Sequence, residues 1–298
     1  MAENVAPAVI NSIEEAPLTS LKSTFDVSEH APDPATEAAN AASAAKPLAV
    51  RLTDAKPVAR KGAYEELAKL FGGGDADAAA AFEEHAPALK KVLLDNASLC
   101  HEAALSAAIA FAAGAPDGVV EERAASLAGA VVDKLLPTPK LVPKALEALL
   151  TFVRRGAGAA VLGALLSGAA SKVPKVCGGA AKGLSAVLKE HGAETPSLKQ
   201  VIGVIACLIN HRDKGVRDEA QTVFIEVHRI KATRKDLWAA LTAGKVPKDK
   251  VEALEAAVAG VSAAPKAGSA ASAVGATDRR SAGRLRTCIN IVLELCKY

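Results

Sequence analysis

The sequence predicts an all-α protein built as an α-solenoid of about six HEAT-like helical pairs. Three observations carry that prediction: an alanine- and leucine-rich composition, similar segments recurring about every 40 residues, and a helix-spaced apolar pattern in each unit. Half of the 298 residues are hydrophobic, with 3% aromatics and one tryptophan. That palette favours helices that pack closely.

The recurring unit is a short polar or basic turn followed by a helix with a small inward residue. It appears as KPVARKGAYEELAKLF from Lys56, NASLCHEAALSAAIAF from Asn96 and TPKLVPKALEALLTFV from Thr138. SKVPKVCGGAAKGLSAVL from Ser171 and HRDKGVRDEAQTVFIEV from His211 complete the set. With Ala63, Ala103, Ala145, Ala180 and Ala220 as markers, the spacings are 40, 42, 35 and 40 residues, in or near the range of HEAT-like pairs. A second helix precedes the turn, as in ADAAAAFEEHAPALKKVLL, VVEERAASLAGAVVDKLL and SLKQVIGVIACLI, each with apolar residues at helical spacing. Glycine and proline clusters at Gly72–Gly74, Gly114–Gly118, Gly156–Gly158 and Gly192–Pro196 mark the loops between repeats.

Around this body, residues 1–45 carry seven acids against one lysine and no periodicity, which predicts a disordered leader. The repeat domain is expected over 46–263. Residues 264–298 read as a small-residue linker and then a basic amphipathic helix with Leu285, Ile289, Val292 and Cys296 on one face. Neither a membrane span nor a secretion signal is expected. The five scattered cysteines fit free thiols in a reducing cytosol.

In a solenoid, equivalent turns fall in a row along one edge. Here the row holds Lys56, Asn96, Lys140, Lys172, Lys175, Arg212, Lys214 and Arg217. Fixed positive charge in a row suits a partner rich in aspartate and glutamate. Taken singly, each of these cations also reads as an ordinary solvated residue.

No catalytic, metal or cofactor site is expected. The six histidines stand apart, and FGGGDAD lacks the lysine and serine of a phosphate loop. Cys100 and His101 diverge by about 100° on a helix, which does not form a nucleophilic pair. Trp238, in DLWAALTAG, reads as a core residue.

RLTDAKPVARKGAYEELAKLF resembles the opening of TOG domains, the tubulin-binding HEAT arrays of microtubule polymerases and related microtubule-associated proteins. VVDKLLPTPKLVPKALEALLTFV, SKVPKV and HRDKGVRDEAQTVFIEVHRI resemble that family's third repeat, fourth turn and fifth repeat, so the likeness covers about 47–258 in family order. The resemblance implies a paddle of six helical pairs whose turns grip the tubulin heterodimer or microtubule and regulate microtubule dynamics. It also implies a cytoplasmic, cytoskeletal location, with spindle pole or centrosome as the finer expectation.

Carried over by position, the implied tubulin-binding residues are Lys56, Asn96, Ser98, Lys140, Lys172, Lys175, Arg212, Lys214 and Arg217. The chain departs from the family at the first turn, where Pro57 stands in place of the usual tryptophan. Losing an interface aromatic costs about 2 kcal/mol or more, roughly thirtyfold in affinity. Two other readings stay open: a HEAT scaffold for another protein, and a helical-repeat DNA glycosylase, which the few aromatics disfavour.

Overall fold

Alanine and glycine set how closely the helices of this chain approach one another. In the computed structural model, which describes residues 45–73 and 76–261, the five marker alanines all point into the core and none exceeds 5% exposure. A methyl group facing its neighbour lets two helix backbones approach where a larger side chain would hold them apart.

The helices run in order as α1 (Leu48–Arg51), α2 (Pro57–Gly72), α3 (Ala76–His85), α4 (Leu89–Leu93), α5 (Ser98–Gly114) and α6 (Asp117–Ala130). There follow α7 (Val142–Phe152), α8 (Gly158–Ala169), α9 (Pro174–His191), α10 (Leu198–Ile209), α11 (Lys214–Arg229), α12 (Arg234–Ala243) and α13 (Lys248–Val258). No strand occurs among the described residues. One layer is formed by α4, α6, α8, α10 and α12, each packed on the next. In the other layer, α2 packs on α5, α5 on α7, α7 on α9, α9 on α11 and α11 on α13. The described residues form an α-solenoid of six pairs, the first of which has only the short α1 as its leading helix.

Local chemistry explains where the helices begin. Pro57 and Pro174 occupy first-turn positions of α2 and α9, where the missing N–H needs no intrahelical acceptor. The Asp213 carboxylate caps α11 by accepting from Val216 N at 3.1 Å. Between α7 and α8 the chain breaks at Gly156, whose φ of +83° is the left-handed region that glycine adopts without a Cβ penalty. The break has a consequence for the run Pro139–Ala169, which is long and apolar enough by composition to cross a membrane. The run is two helices in different layers of the solenoid, and its apolar side chains, such as Leu149, Phe152, Val161 and Leu165, are buried in the protein core.

Aromatic residues concentrate near the loops between the first three repeats. Phe71 stacks on Phe82 at 5.0 Å, and Phe111 meets both edge-on. At the other end Trp238 packs edge-on to Phe224 at 5.2 Å, partly buried against the core rather than inside it as its sequence position implied. The acidic leader, the linker and the amphipathic tail lie outside the described residues, apart from position 45.

The cysteines correct one expectation. Cys100 and Cys177 are free and buried, and burial raises both thiol pKa values, that of Cys177 up to about 11. Cys207, however, is disulfide-bonded. Scattered spacing in the sequence gave no sign of this, because a disulfide depends on proximity in space.

Candidate functional site

The turns between the paired helices form the candidate site, and contacts running from turn to turn hold them in register. At the first two turns a buried carboxylate organises the edge. Asp95 accepts from Arg60 Nε at 2.6 Å and Nη2 at 2.9 Å, from Tyr64 OH at 2.8 Å and from Ala97 N at 2.8 Å. Its side chain is 4% exposed. The hydrogen bonds from Arg60 hold the Asp95 carboxyl well below the usual range and push the Arg60 guanidinium further up. Burial, with the bond to Asp95, raises the Tyr64 phenol. Arg60 Nη1 also donates to the carbonyls of Asp54 at 2.8 Å and Ala55 at 3.1 Å, tying the first turn to the second.

Register continues along the row. Lys134 at the end of the α6 segment reaches back to Leu94 O at 2.7 Å and Asn96 Oδ1 at 2.6 Å. In the fourth turn Ser171 Oγ accepts from Val173 N at 3.2 Å. In the fifth, Arg217 Nη1 donates to the carbonyls of His211 at 3.0 Å and Arg212 at 2.8 Å. Lys250 then reaches Ile209 O at 3.1 Å and Asn210 Oδ1 at 3.3 Å from the sixth pair.

The residues singled out in the sequence therefore divide by what their side chains are free to do. Lys56, Ser98, Lys140, Lys172, Lys175, Arg212 and Lys214 are exposed at or beside the turns. Asn96 is exposed too, but its side-chain oxygen is taken by Lys134. Arg217 is only partly exposed, and part of its guanidinium clamps its own turn as Arg60 does in the first. His101 and Cys100 are structural: His101 Nε2 is 2.8 Å from Asp95 O and Cys100 Sγ is 3.2 Å from Pro57 O. Among the described residues no group of three or more His, Cys, Asp or Glu is placed to hold a metal.

Sequence reasoning missed the apolar part of the edge. Val50, Val58, Leu94, Leu99 and Val173 are each 40–53% exposed. All lie within the first four repeats, in or next to an intra-repeat turn. Val58 follows Pro57, while Leu94 and Leu99 flank the second turn. Their signal in the sequence was weak, because each sits beside polar residues and reads as the start of an apolar helix face.

Fold and edge together define a class: a helical-repeat binding module that presents a row of short turns, apolar towards one end and basic towards the other. The comparisons with known proteins make this particular. The family described as XMAP215/Dis1/CLASP, TOG domain, matches residues 43–267. The chain belongs to that family of TOG domains.

It is 31% identical over 172 residues to Centrosomal protein 224 of Dictyostelium discoideum and 30% identical over 173 residues to Protein mini spindles of Drosophila melanogaster. Each match covers 57% of this chain and spans only 8% of the relative's length. Among solved structures, Drosophila Mini spindles TOG3 superposes with a TM-score of 0.58 at 18% identity, over 73% of this chain and 96% of that one. A structure described as the basis of tubulin recruitment and assembly by microtubule polymerases with TOG arrays gives a TM-score of 0.63 at 17% identity, over 73% of this chain and 47% of that one. These likenesses bear on the fold.

Proposed function

We propose that this chain binds the tubulin heterodimer along its turn edge and through it acts on microtubule dynamics. The observation that supports the reading most directly is the make-up of the edge. Val58, Leu94 and Leu99 offer apolar contact at the first two turns, and Lys172, Lys175, Arg212 and Lys214 offer exposed cations at the fourth and fifth. Burial of apolar side chains gives affinity, while exposed charge steers an acidic partner and sets register.

Proline at position 57 removes the aromatic that the family resemblance leads one to expect. Val58, 50% exposed on the next residue, and the two leucines of the second turn supply apolar area in its neighbourhood. The place of action that goes with this function is the microtubule cytoskeleton. Relatives named for centrosome, spindle and spindle pole body point to spindle poles as the finer site.

A second reading, a scaffold for a different protein, draws on the same Pro57 and would use the same edge. Size-exclusion chromatography with soluble tubulin at low and moderate salt separates the two. Co-elution of the wild-type chain, weakened by Lys172→Ala with Lys214→Ala and by Leu94→Ser with Leu99→Ser, supports tubulin. A wild-type chain that never shifts tubulin, even at low salt, leaves the scaffold reading.

A further inference from the structure

The third turn of the edge carries a group that tubulin contact does not use. The chain has two Thr-Pro pairs, Thr138-Pro139 and Thr195-Pro196, and no Ser-Pro pair. The two threonines differ in reach. Thr195 is 5% exposed, and its hydroxyl donates to Gly192 O at 2.7 Å. Thr53, Thr151, Thr222, Thr233 and Thr242 likewise donate to backbone carbonyls. Thr138 is partly exposed, and its hydroxyl has no such acceptor among the described residues. Although it stands at the head of the short helical turn Pro139–Leu141, its side chain caps nothing.

Backbone geometry presents this hydroxyl. Pro137 and Pro139 flank Thr138, and a residue before proline is held extended. Its φ of −92° and ψ of 111° are extended accordingly. Pro139 also lacks an N–H. An extended threonine followed by a residue without a backbone donor is the substrate form that a proline-directed kinase accepts, because its cleft offers no acceptor at that position.

The surroundings are basic. Lys140 is exposed two residues on. α9 packs on the Val131–Leu135 segment, so closely that a Cβ on Gly179 would lie 3.3 Å from the Leu136 carbonyl. Lys175 is exposed one helical turn before Gly179, with Lys172 three residues earlier. Neighbouring helices lie about 10 Å apart, comparable with the Debye length of about 10 Å at 0.1 M salt. A charge on Thr138 is therefore felt by the third and fourth turns together.

We propose that Thr138 is a phosphorylation site for a proline-directed kinase and that the phosphate switches off the turn edge. Thr138 Oγ1 attacks the γ-phosphorus of ATP, ADP leaves, and the hydroxyl proton passes to the kinase's catalytic carboxylate. The product carries about −1.5 to −2 charge at pH 7 in the middle of the row. It draws Lys140 and Lys175 into charge-assisted hydrogen bonds and repels an acidic partner. The switch rests on the tubulin reading above, whereas the site does not.

The test uses the full chain, ATP and a purified proline-directed kinase. Peptide mass mapping of the folded protein is expected to find phosphate on Thr138 and none on Thr195. An unmodified Thr138, or phosphate there only after unfolding in urea, overturns the site. Size-exclusion chromatography with tubulin then compares the phosphorylated and untreated chains. Phosphorylation is expected to weaken the complex about tenfold at low salt and less as salt rises. Thr138→Ala, treated with the same kinase, should keep the untreated affinity. Equal binding by the phosphorylated and untreated chains overturns the switch, as does a melting temperature lowered by more than about 4 °C, which would assign the loss to unfolding. If the untreated chain never shifts tubulin, the tubulin reading fails and the switch with it, while the mass map still decides the site.

Discussion

The two ends of the turn edge share one backbone plan and differ in what holds and crowns it. At the first and second turns a buried carboxylate gathers four donors from two repeats, and the exposed side chains above it are largely apolar. At the fifth turn an exposed aspartate caps one helix, a single arginine donates to the carbonyls of His211 and Arg212, and the exposed side chains are lysine and arginine. Apolar side chains at an edge give affinity only if the turns beneath them stay fixed. Flexible cations tolerate looser support, because electrostatic steering acts over several ångströms.

The largest effect that would break this comparison is expected at Asp95. Asp95→Ala leaves Arg60 Nε and Nη2 and the Tyr64 hydroxyl without their acceptor, and urea unfolding should show a loss of about 3–5 kcal/mol. Asp213→Ala, at the other end, removes one cap and should cost about 1 kcal/mol. Similar losses at both sites would show that the two ends are supported alike.

Acid extends the contrast. The Asp95 carboxyl is depressed in the folded state, so its contribution is complete above its ordinary value of 3.8 and disappears as pH falls towards the lower folded value. Unfolding curves between pH 2 and about 5 should show a steep acid limb in the wild type that Asp95→Asn flattens.

Next in size is Arg217→Ala, expected to destabilise the chain by about 1–3 kcal/mol because two turn carbonyls lose their donor. Lys214→Ala, three residues away and fully solvated, should stay within about 0.5 kcal/mol. Thermal melts of the two variants show whether a binding defect at Arg217 reflects contact or support.

The apolar end is tested by Leu94→Ser with Leu99→Ser, which should leave the melting temperature nearly unchanged and weaken the tubulin complex roughly tenfold. Lys172→Ala with Lys214→Ala should weaken it less, about 0.2–1 kcal/mol per charge, and lose its effect as salt rises. Titrations at two salt concentrations distinguish them.

The smallest effect belongs to His228, whose pKa is lowered by burial and then by Arg234. The unfolded chain takes up the proton first, so the C-terminal end should lose stability as pH falls below 6.5 and regain it above. His228→Gln should remove that shallow slope from the pH dependence of the melting temperature.

The sequence by itself determined the architecture. Alanine markers at 63, 103, 145, 180 and 220 are all buried, and the turns they follow all join the two helices of a pair. Such periodicity is legible because every repeat must bury the same stripe against its neighbours, so the pattern is written once per unit. Pro57 could likewise be placed in a first helical turn from its missing N–H alone.

Tertiary structure decided the division of labour along the edge. Arg217 looks like a free cation in the sequence and acts, like Arg60, as a clamp in the fold, while Leu94 and Leu99 read as the start of an apolar helix face and stand at the surface. Asp95 finds Arg60 across 35 positions, and Cys207 has a disulfide partner that no local spacing announced. A side chain's task depends on which acceptors or sulfur atoms come within bonding distance. That distance is fixed only when the repeats stack.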